Sequence, residues 1–140
     1  LLELENVVIF EAAIQYKNFF IRVDILEKIG DRVNLIEVKS KSYGGDDEGF
    51  TNKKGFVERD WKPYLEDVAF QKYVMKKAFS NWNVKAYLML SDKSRLASVN
   101  GLNQHFQIVK GANDRLSVNV VGDVSIEGLG NPILSKINVD

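Results

Sequence analysis

Three acidic residues and a lysine stand at spacings that could support metal-ion chemistry. Asp24 is followed thirteen residues later by Glu37, and Lys39 comes two residues after Glu37. A third acid, Glu11, lies upstream. Carboxylate oxygens are the hard ligands that Mg²⁺ and Mn²⁺ prefer, and a nearby lysine can orient water or stabilise charge. These residue types therefore indicate metal-assisted chemistry, provided that the fold brings them together.

The segments that carry these residues are typical of β-strands. They are rich in β-branched, aromatic and aliphatic residues, and the turn-forming pairs Lys17-Asn18 and Gly30-Asp31 separate them. The predicted strands are residues 7–16, 19–28 and 33–40. Strands joined by such short turns pair antiparallel, so the sequence predicts a three-stranded antiparallel meander.

Two-residue turns would align the acids in one row across this meander. Glu11 would lie opposite Asp24, and Asp24 opposite Glu37, with Cβ atoms about 4.5–5.5 Å apart. Because side chains alternate along a strand, Arg22 shares the face of Asp24, and Lys39 shares that of Glu37. Three acids with adjacent cations are what a divalent-ion site needs.

The alternative is that the row lies on a solvated face, where the acids pair with Arg22, Lys28 and Lys39. Leu35 and Phe20 interrupt that polar face, however, and the opposite face is strongly apolar. Both faces of the sheet could therefore be covered.

A helix is predicted from residue 63 to about residue 80, with Pro63 in its first turn. One side of this helix, at about 100° per residue, holds the residues Asp67, Phe70, Gln71, Val74 and Ala78. Gln71 is thus a polar residue on an otherwise core-facing stripe. Either the backbone satisfies its amide, or Gln71 points toward the acidic row.

The rest of the chain carries fewer signals. A further strand, residues 84–90, follows the helix and is expected inside the sheet, while residues 41–62 read as a long glycine-rich loop. That loop is either disordered or grips a substrate through Lys53, Lys54 and Arg59. Weaker strands are expected at 116–121 and 124–126, and a turn at 128–132. Residues 96–115 have no clear pattern and receive no assignment.

The two tryptophans and the single histidine are expected to have mainly structural roles. Trp61 and Trp82 flank the helix and are expected to pack in the core, although an exposed Trp61 could stack on a base. His105 is the only histidine, and without a serine or cysteine motif nearby it receives no catalytic role.

Composition bounds the remaining possibilities. The 140 residues suit one domain, with 19 basic and 19 acidic residues in balance and a mildly basic stretch at 39–95. The chain has no cysteine, which excludes disulfides, thiolate zinc sites and a cysteine nucleophile and fits a reducing, cytoplasmic compartment. No membrane span or signal peptide is recognised. Since the chain begins at Leu1, a segment of a longer protein with flanking domains is expected.

The order of these motifs resembles a known superfamily. Asp24 on one strand of a hairpin, Glu37-Val38-Lys39 on the next, and the helical stretch "DVAFQKYVMKKA" (67–78) resemble the core of the PD-(D/E)XK nucleases, RecB-like branch. The segments "FEAAIQYKNFFIRVDILEK", "LIEVKSKS" and "EDVAFQKYV" also look like an uncharacterised bacterial domain family within that superfamily. The resemblance covers residues 7 to about 90.

The resemblance implies an α/β, restriction-endonuclease-like core, in which a mixed central sheet opens with the meander and carries a flanking helix. It implies a Mg²⁺- or Mn²⁺-dependent nuclease that acts on DNA in preference to RNA. The implied metal ligands are Asp24, Glu37 and the carbonyl of Val38, while Lys39 would position or activate water and Gln71 would support the site. No iron-sulfur cluster is expected, because the cysteines that hold one in some relatives are absent.

Two departures from the superfamily pattern matter. RecB-like helices usually carry a tyrosine four residues after the glutamine, whereas here Met75 holds that place and Tyr73 follows Gln71 by two. The acid that the superfamily supplies from an upstream helix has no counterpart before Val7; Glu11 could replace it, or it could lie outside the chain. A nuclease-fold domain that has lost activity and binds nucleic acid or serves as a scaffold is therefore the alternative function.

Overall fold

A computed structural model describes residues 1–44, 49–111 and 113–140. The acidic stretch at 46–48 and Gly45, part of the predicted loop, lie outside the described residues. The described chain divides into two compact units, residues 1–92 with 134–140, and residues 93–133. The single domain expected over residues 1–140 stays a prediction.

The first unit is built around a five-stranded mixed sheet. The strands among the described residues are β1 (Asn6–Tyr16), β2 (Phe19–Ile29), β3 (Arg32–Tyr43), β4 (Asn83–Asp92), β5 (Phe106–Lys110), β6 (Leu116–Val120) and β7 (Leu134–Asn138). The sheet has the order β1-β2-β3-β4-β7, in which only the β3–β4 pair is parallel. The chain is thus α/β with a mixed sheet opened by an antiparallel meander, while the restriction-endonuclease-like arrangement stays a prediction.

The two tight turns of the meander are confirmed. Lys17 and Gly30 both have positive φ, at 53° and 60°, which two-residue hairpin turns require. The pairing between β1 and β2 runs from Asn6–Ile29 to Tyr16–Phe19, the register that a Lys17-Asn18 turn predicts.

The β1–β2 ladder is interrupted at its middle. Pairing passes from Phe10–Ile25 to Ala12–Val23 and skips Glu11 and Asp24, and Glu11 has a left-handed φ of 55°. Burial changes phase at the same point: β2 buries odd-numbered residues before the break and even-numbered residues after it. The side chains on either side of the break therefore follow different alternations, and period-two counting across it fails.

Helix α1 (Lys62–Ala78) connects β3 to the parallel strand β4 and packs on one face of the sheet. The helix buries the side chains of Val68, Gln71, Val74 and Met75. Gln71 and Val74 were expected on this stripe, but Phe70 is exposed and contacts Phe19 instead. The buried stripe is thus rotated toward Val68 and Met75, which contact the core that the first four strands provide.

The predicted loop 41–62 holds regular structure. Strand β3 extends to Tyr43, and residues 50–58 form a small hairpin closed by a bridge between Thr51 and Val57. Trp61 is buried in an aromatic cluster with Tyr43 and Phe50, which confirms the packing interpretation of this tryptophan.

The second unit contains the antiparallel pair β5–β6, a short 3-10 helix over residues 102–105 and the four-residue helix α2 (Ile126–Leu129). The strand predicted at 124–126 is wrong, because Ser125 caps α2 by accepting a hydrogen bond from the Gly128 N–H. His105 Nδ1 lies 2.8 Å from the carbonyl oxygen of Val121, a structural contact. No helix among the described residues is both long enough and apolar enough to cross a bilayer.

The core beneath the helix should dominate the stability of the first unit. Leu35 on β3 is fully buried, whereas Leu4 is exposed. We expect Leu35→Ala to lower the free energy of unfolding by about 2–5 kcal/mol. The matched variant Leu4→Ala should change it by less than about 0.5 kcal/mol. Urea unfolding followed by circular dichroism would measure both, and equal losses would contradict this assignment of the core.

Candidate active site

Glu37 is a buried carboxylate with a cation and an amide bound to it. Its side chain lies on the β3 face that carries Leu35 and faces α1, and Glu37 is only 7% exposed. One carboxylate oxygen lies 2.6 Å from Lys39 Nζ, and the other accepts a hydrogen bond of 2.9 Å from Gln71 Nε2. Both oxygens thus have a partner, as a buried charge requires.

Lys39 bridges two acids from different elements. Its ammonium contacts Glu37 on its own strand and, at 3.1 Å, the Asp67 carboxylate on α1. Burial alone would lower the pKa of Lys39, but the hydrogen bonds to Glu37 and Asp67 outweigh burial and raise the pKa. Lys39 is therefore an ammonium at neutral pH.

Gln71 links the same two acids from above the sheet. Its Nε2 donates to Glu37 and also lies 3.3 Å from Asp67 Oδ1. Gln71 is 5% exposed, and its Oε1 has no hydrogen-bond partner among the described residues. Of the two interpretations left open by the sequence, the structure selects the one in which Gln71 points at the acids.

Asp24 lies on β2 where backbone pairing with both neighbouring strands is interrupted. Pairing between β2 and β3 ends at Ile25–Ile36, so the predicted Asp24–Glu37 pair does not form even though the predicted register holds. The Asp24 carboxylate instead accepts a 2.8 Å hydrogen bond from the Val38 N–H. The carboxylate therefore lies beside the Val38 backbone and next to the strand position of Glu37.

Contrary to the sequence prediction, Glu11 does not join this group. It forms a 2.7 Å ion pair with Arg22, and both side chains are exposed. Glu11 has a left-handed backbone, and the alternation of buried and exposed side chains along β1 changes at this residue. Glu11 is therefore separated from the row that counting residues across the turns predicted. Among the described residues, no three His, Cys, Asp or Glu side chains form a group able to hold a metal ion. The predicted ligand row of Glu11, Asp24 and Glu37 is thus not formed.

The solvated-face interpretation fails for part of the row. It describes Glu11 and Arg22 correctly, because these two side chains pair in solvent. It does not describe Glu37, which is buried under α1, or Gln71, which helps to bury it.

Asp67 is a site residue that the sequence analysis placed on the right helix face without assigning it a role. Its signal was the spacing of four residues before Gln71, which puts two polar side chains on one stripe. Tyr64 on the preceding turn adds an aromatic ring 5.8 Å from Lys39 Nζ. No sequence pattern identified that contact.

No model of a known protein family, no curated protein and no solved structure matches this chain.

The contacts of Lys39 predict a pH-dependent stability. Removing the ammonium in Lys39→Met leaves Glu37 buried with Gln71 alone, so the free energy of unfolding should fall by about 1–3 kcal/mol at neutral pH. Because the folded-state pKa of Lys39 is raised above 10.5, the stability that it contributes is present below that value. It is lost as the pH rises through the folded-state pKa.

Urea unfolding of wild type and Lys39→Met, from neutral pH to the most alkaline pH at which both fold, would measure this difference. The gap between the two proteins should narrow on the alkaline side. A gap that stays constant across that range would show that Lys39 contributes through packing of its stem, not through its charge.

Proposed function

We propose that this chain is a divalent-metal-dependent nuclease of the PD-(D/E)XK type, which hydrolyses phosphodiester bonds in nucleic acid. The observation that supports the proposal most directly is the contact of both Lys39 and Gln71 with the buried carboxylate of Glu37. Residue spacing, helix periodicity and the resemblance all singled out these three residues, and they meet here from a strand and a helix. The preference for DNA over RNA rests on the resemblance.

The residues present fit a hard divalent cation at a two-carboxylate site. Mg²⁺ is commonly held by one or two carboxylates, with waters and substrate oxygens completing its shell. Asp24 and Glu37 supply two carboxylates from neighbouring strands, and each Glu37 oxygen keeps a lone pair beyond its one hydrogen bond. The carbonyl of Val38 remains a proposed further ligand, whereas the pairing of Glu11 with Arg22 argues against Glu11 in that role.

The chemistry divides between the ion and the side chains. A bound Mg²⁺ or Mn²⁺ would stabilise charge on the phosphoryl oxygens and make a bound water more acidic. Lys39 is held as an ammonium, so it can orient water and stabilise negative charge but cannot accept a proton at neutral pH. Gln71 and Asp67 fix the positions of Glu37 and Lys39 through hydrogen bonds.

One observation favours the inactive-domain alternative. Lys39 and Gln71 already engage both oxygens of Glu37, so this carboxylate has partners without a cation. A nuclease-fold domain that binds nucleic acid without cleaving it would keep this network for stability alone.

A metal-binding experiment with a matched control separates the two functions. We expect Mn²⁺ to bind wild type in isothermal titration calorimetry, and Asp24→Asn and Glu37→Gln to abolish that binding. Glu11→Gln should bind Mn²⁺ as wild type does, because the Glu11 side chain pairs with Arg22 in solvent. Cleavage of single-stranded DNA and nicking of a supercoiled plasmid should follow the same pattern, and Lys39→Met should lower the cleavage rate by about 10²–10³-fold, because it removes a positive charge from the site.

Two outcomes would contradict this proposal. Mn²⁺ binding that Glu11→Gln removes and Glu37→Gln spares would place the cation elsewhere. Nucleic-acid binding without any metal-dependent nicking would support the inactive domain.

Asp67 should act as a positioning residue for the same site. Asp67→Asn keeps the shape of the side chain but removes the charge that holds Lys39. We expect the nicking rate to fall by about 10–100-fold, with Mn²⁺ affinity nearly unchanged because Asp67 is not a proposed ligand. The control is Glu66→Gln, which changes the preceding residue, whose carboxylate pairs with Lys62; this variant should nick at the wild-type rate. If Asp67→Asn nicked DNA as fast as Glu66→Gln, Asp67 would have no positioning role in the site.

A further inference from the structure

The hairpin of residues 50–58 is a well-braced projection, although it falls in a stretch that the sequence predicts to be a loop. Its two sides are joined by backbone hydrogen bonds from Asn52 N to Phe56 O, at 2.8 Å, and from Glu58 N to Phe50 O, at 2.9 Å. The Asn52 side chain accepts from the N–H groups of Lys54 and Phe56, and Gly55 supplies the positive φ of 79° that the turn needs. The tip is therefore held in one shape.

That tip presents an aromatic ring and cations to solvent. Phe56 is 68% exposed, and Lys53, Lys54 and Arg59 are exposed beside it in the chain. Residues 49–62 hold four basic residues and two acidic ones. With about two thirds of its surface in water, the Phe56 ring contributes little apolar burial to folding.

The hairpin is anchored next to the candidate active site. Phe50 at its base packs edge-on against Trp61, with ring centroids 5.0 Å apart, and Trp61 contacts Tyr64 at 6.1 Å. Tyr64 in turn lies 5.8 Å from Lys39 Nζ. Lys41, whose ammonium sits 4.6 Å from the Trp61 ring centroid, adds a second cation to this cluster.

We propose that this hairpin is a single-strand-binding element, in which Phe56 stacks on an unpaired base and Lys53, Lys54 and Arg59 contact the flanking phosphates. This inference rests on the proposed function in taking nucleic acid as the ligand, and it adds that the strand fed to the site is single. The acids at 46–48 lie outside the described residues.

The preference for a single strand follows from the geometry of stacking. Every base has a π-face on which a phenyl ring can stack, but that face is already covered in a duplex and is free in a single strand. Cations next to the ring track the backbone without reading sequence. The element therefore selects unpaired nucleic acid with little sequence preference.

Binding of labelled oligothymidine in EDTA, followed by fluorescence anisotropy, tests the element without any cleavage. We expect wild type to bind oligothymidine more tightly than a duplex of the same length, and Phe56→Ala to weaken that binding at least about fivefold. Phe10→Ala is the matched control, because Phe10 is equally exposed, at 69%, on strand β1. It should bind as wild type does.

The salt dependence of binding reports the phosphate contacts separately. The slope of log affinity against log salt should become shallower by about 0.7 for each phosphate that the double variant K53A/K54A no longer neutralises. The variant K76A/K77A, which removes two exposed lysines from the end of α1, should keep the wild-type slope. Thermal unfolding of each variant shows whether the hairpin change stays local.

Three results would overturn the proposal: Phe56→Ala binding like wild type, duplex bound more tightly than oligothymidine, or no oligonucleotide binding at all. Binding to anionic lipid vesicles with none to oligothymidine would assign the same exposed ring and cations to a membrane surface instead. The nuclease proposal fails on different evidence, since loss of Mn²⁺-dependent nicking leaves the EDTA binding experiment untouched. Conversely, if the protein nicks DNA but Phe56→Ala leaves oligothymidine binding unchanged, only the hairpin proposal fails.

Discussion

An ionised carboxylate removed from water costs several kcal/mol unless partners replace its hydration, and Glu37 is such a group. One partner, Lys39, comes from its own strand, and the other, Gln71, comes from α1. The hydrogen bond from Gln71 to Glu37 therefore acts together with the buried apolar side chains of α1 to hold the helix in its rotation over the sheet. The requirement to satisfy Glu37 explains why a glutamine interrupts the buried stripe of α1, where an aliphatic residue would pack more simply.

The end of the β2–β3 ladder has a corresponding role. A regular ladder would give the backbone of β3 a hydrogen-bonded partner on β2 all along its length. Because pairing stops at Ile25–Ile36, the Val38 N–H needs another acceptor, and the Asp24 carboxylate provides it. A carboxylate side chain thus accepts the hydrogen bond that a backbone carbonyl of β2 would accept in a regular ladder.

The parts of this structure that the sequence predicted are those governed by local rules. Alternating apolar residues and two short turns predicted the meander and its register, and Pro63 with the apolar spacing predicted α1. The face of Glu11 could not be predicted, because a left-handed φ at a single residue changes which side of the sheet its neighbours occupy. The hairpin at 50–58 was missed because an asparagine side chain and an aromatic anchor hold it, neither of which produces a periodic pattern. Asp67 was visible on its helix face, but its role needed the position of Lys39 across space.

The parallel pairing of β3 with β4 has a consequence for the order of folding. The meander pairs neighbours in sequence and can close early, whereas β3 and β4 are separated by about forty residues including α1. Docking of the helix and insertion of β4 must come after the entropy of that long connection is overcome. Glu37 and Lys39 are neighbours on one strand, but Gln71 and Asp67 reach them only when the helix docks on the sheet. A partly folded chain would therefore carry the acidic strand motif without the groups that orient it, and only the completed topology would hold an ordered site.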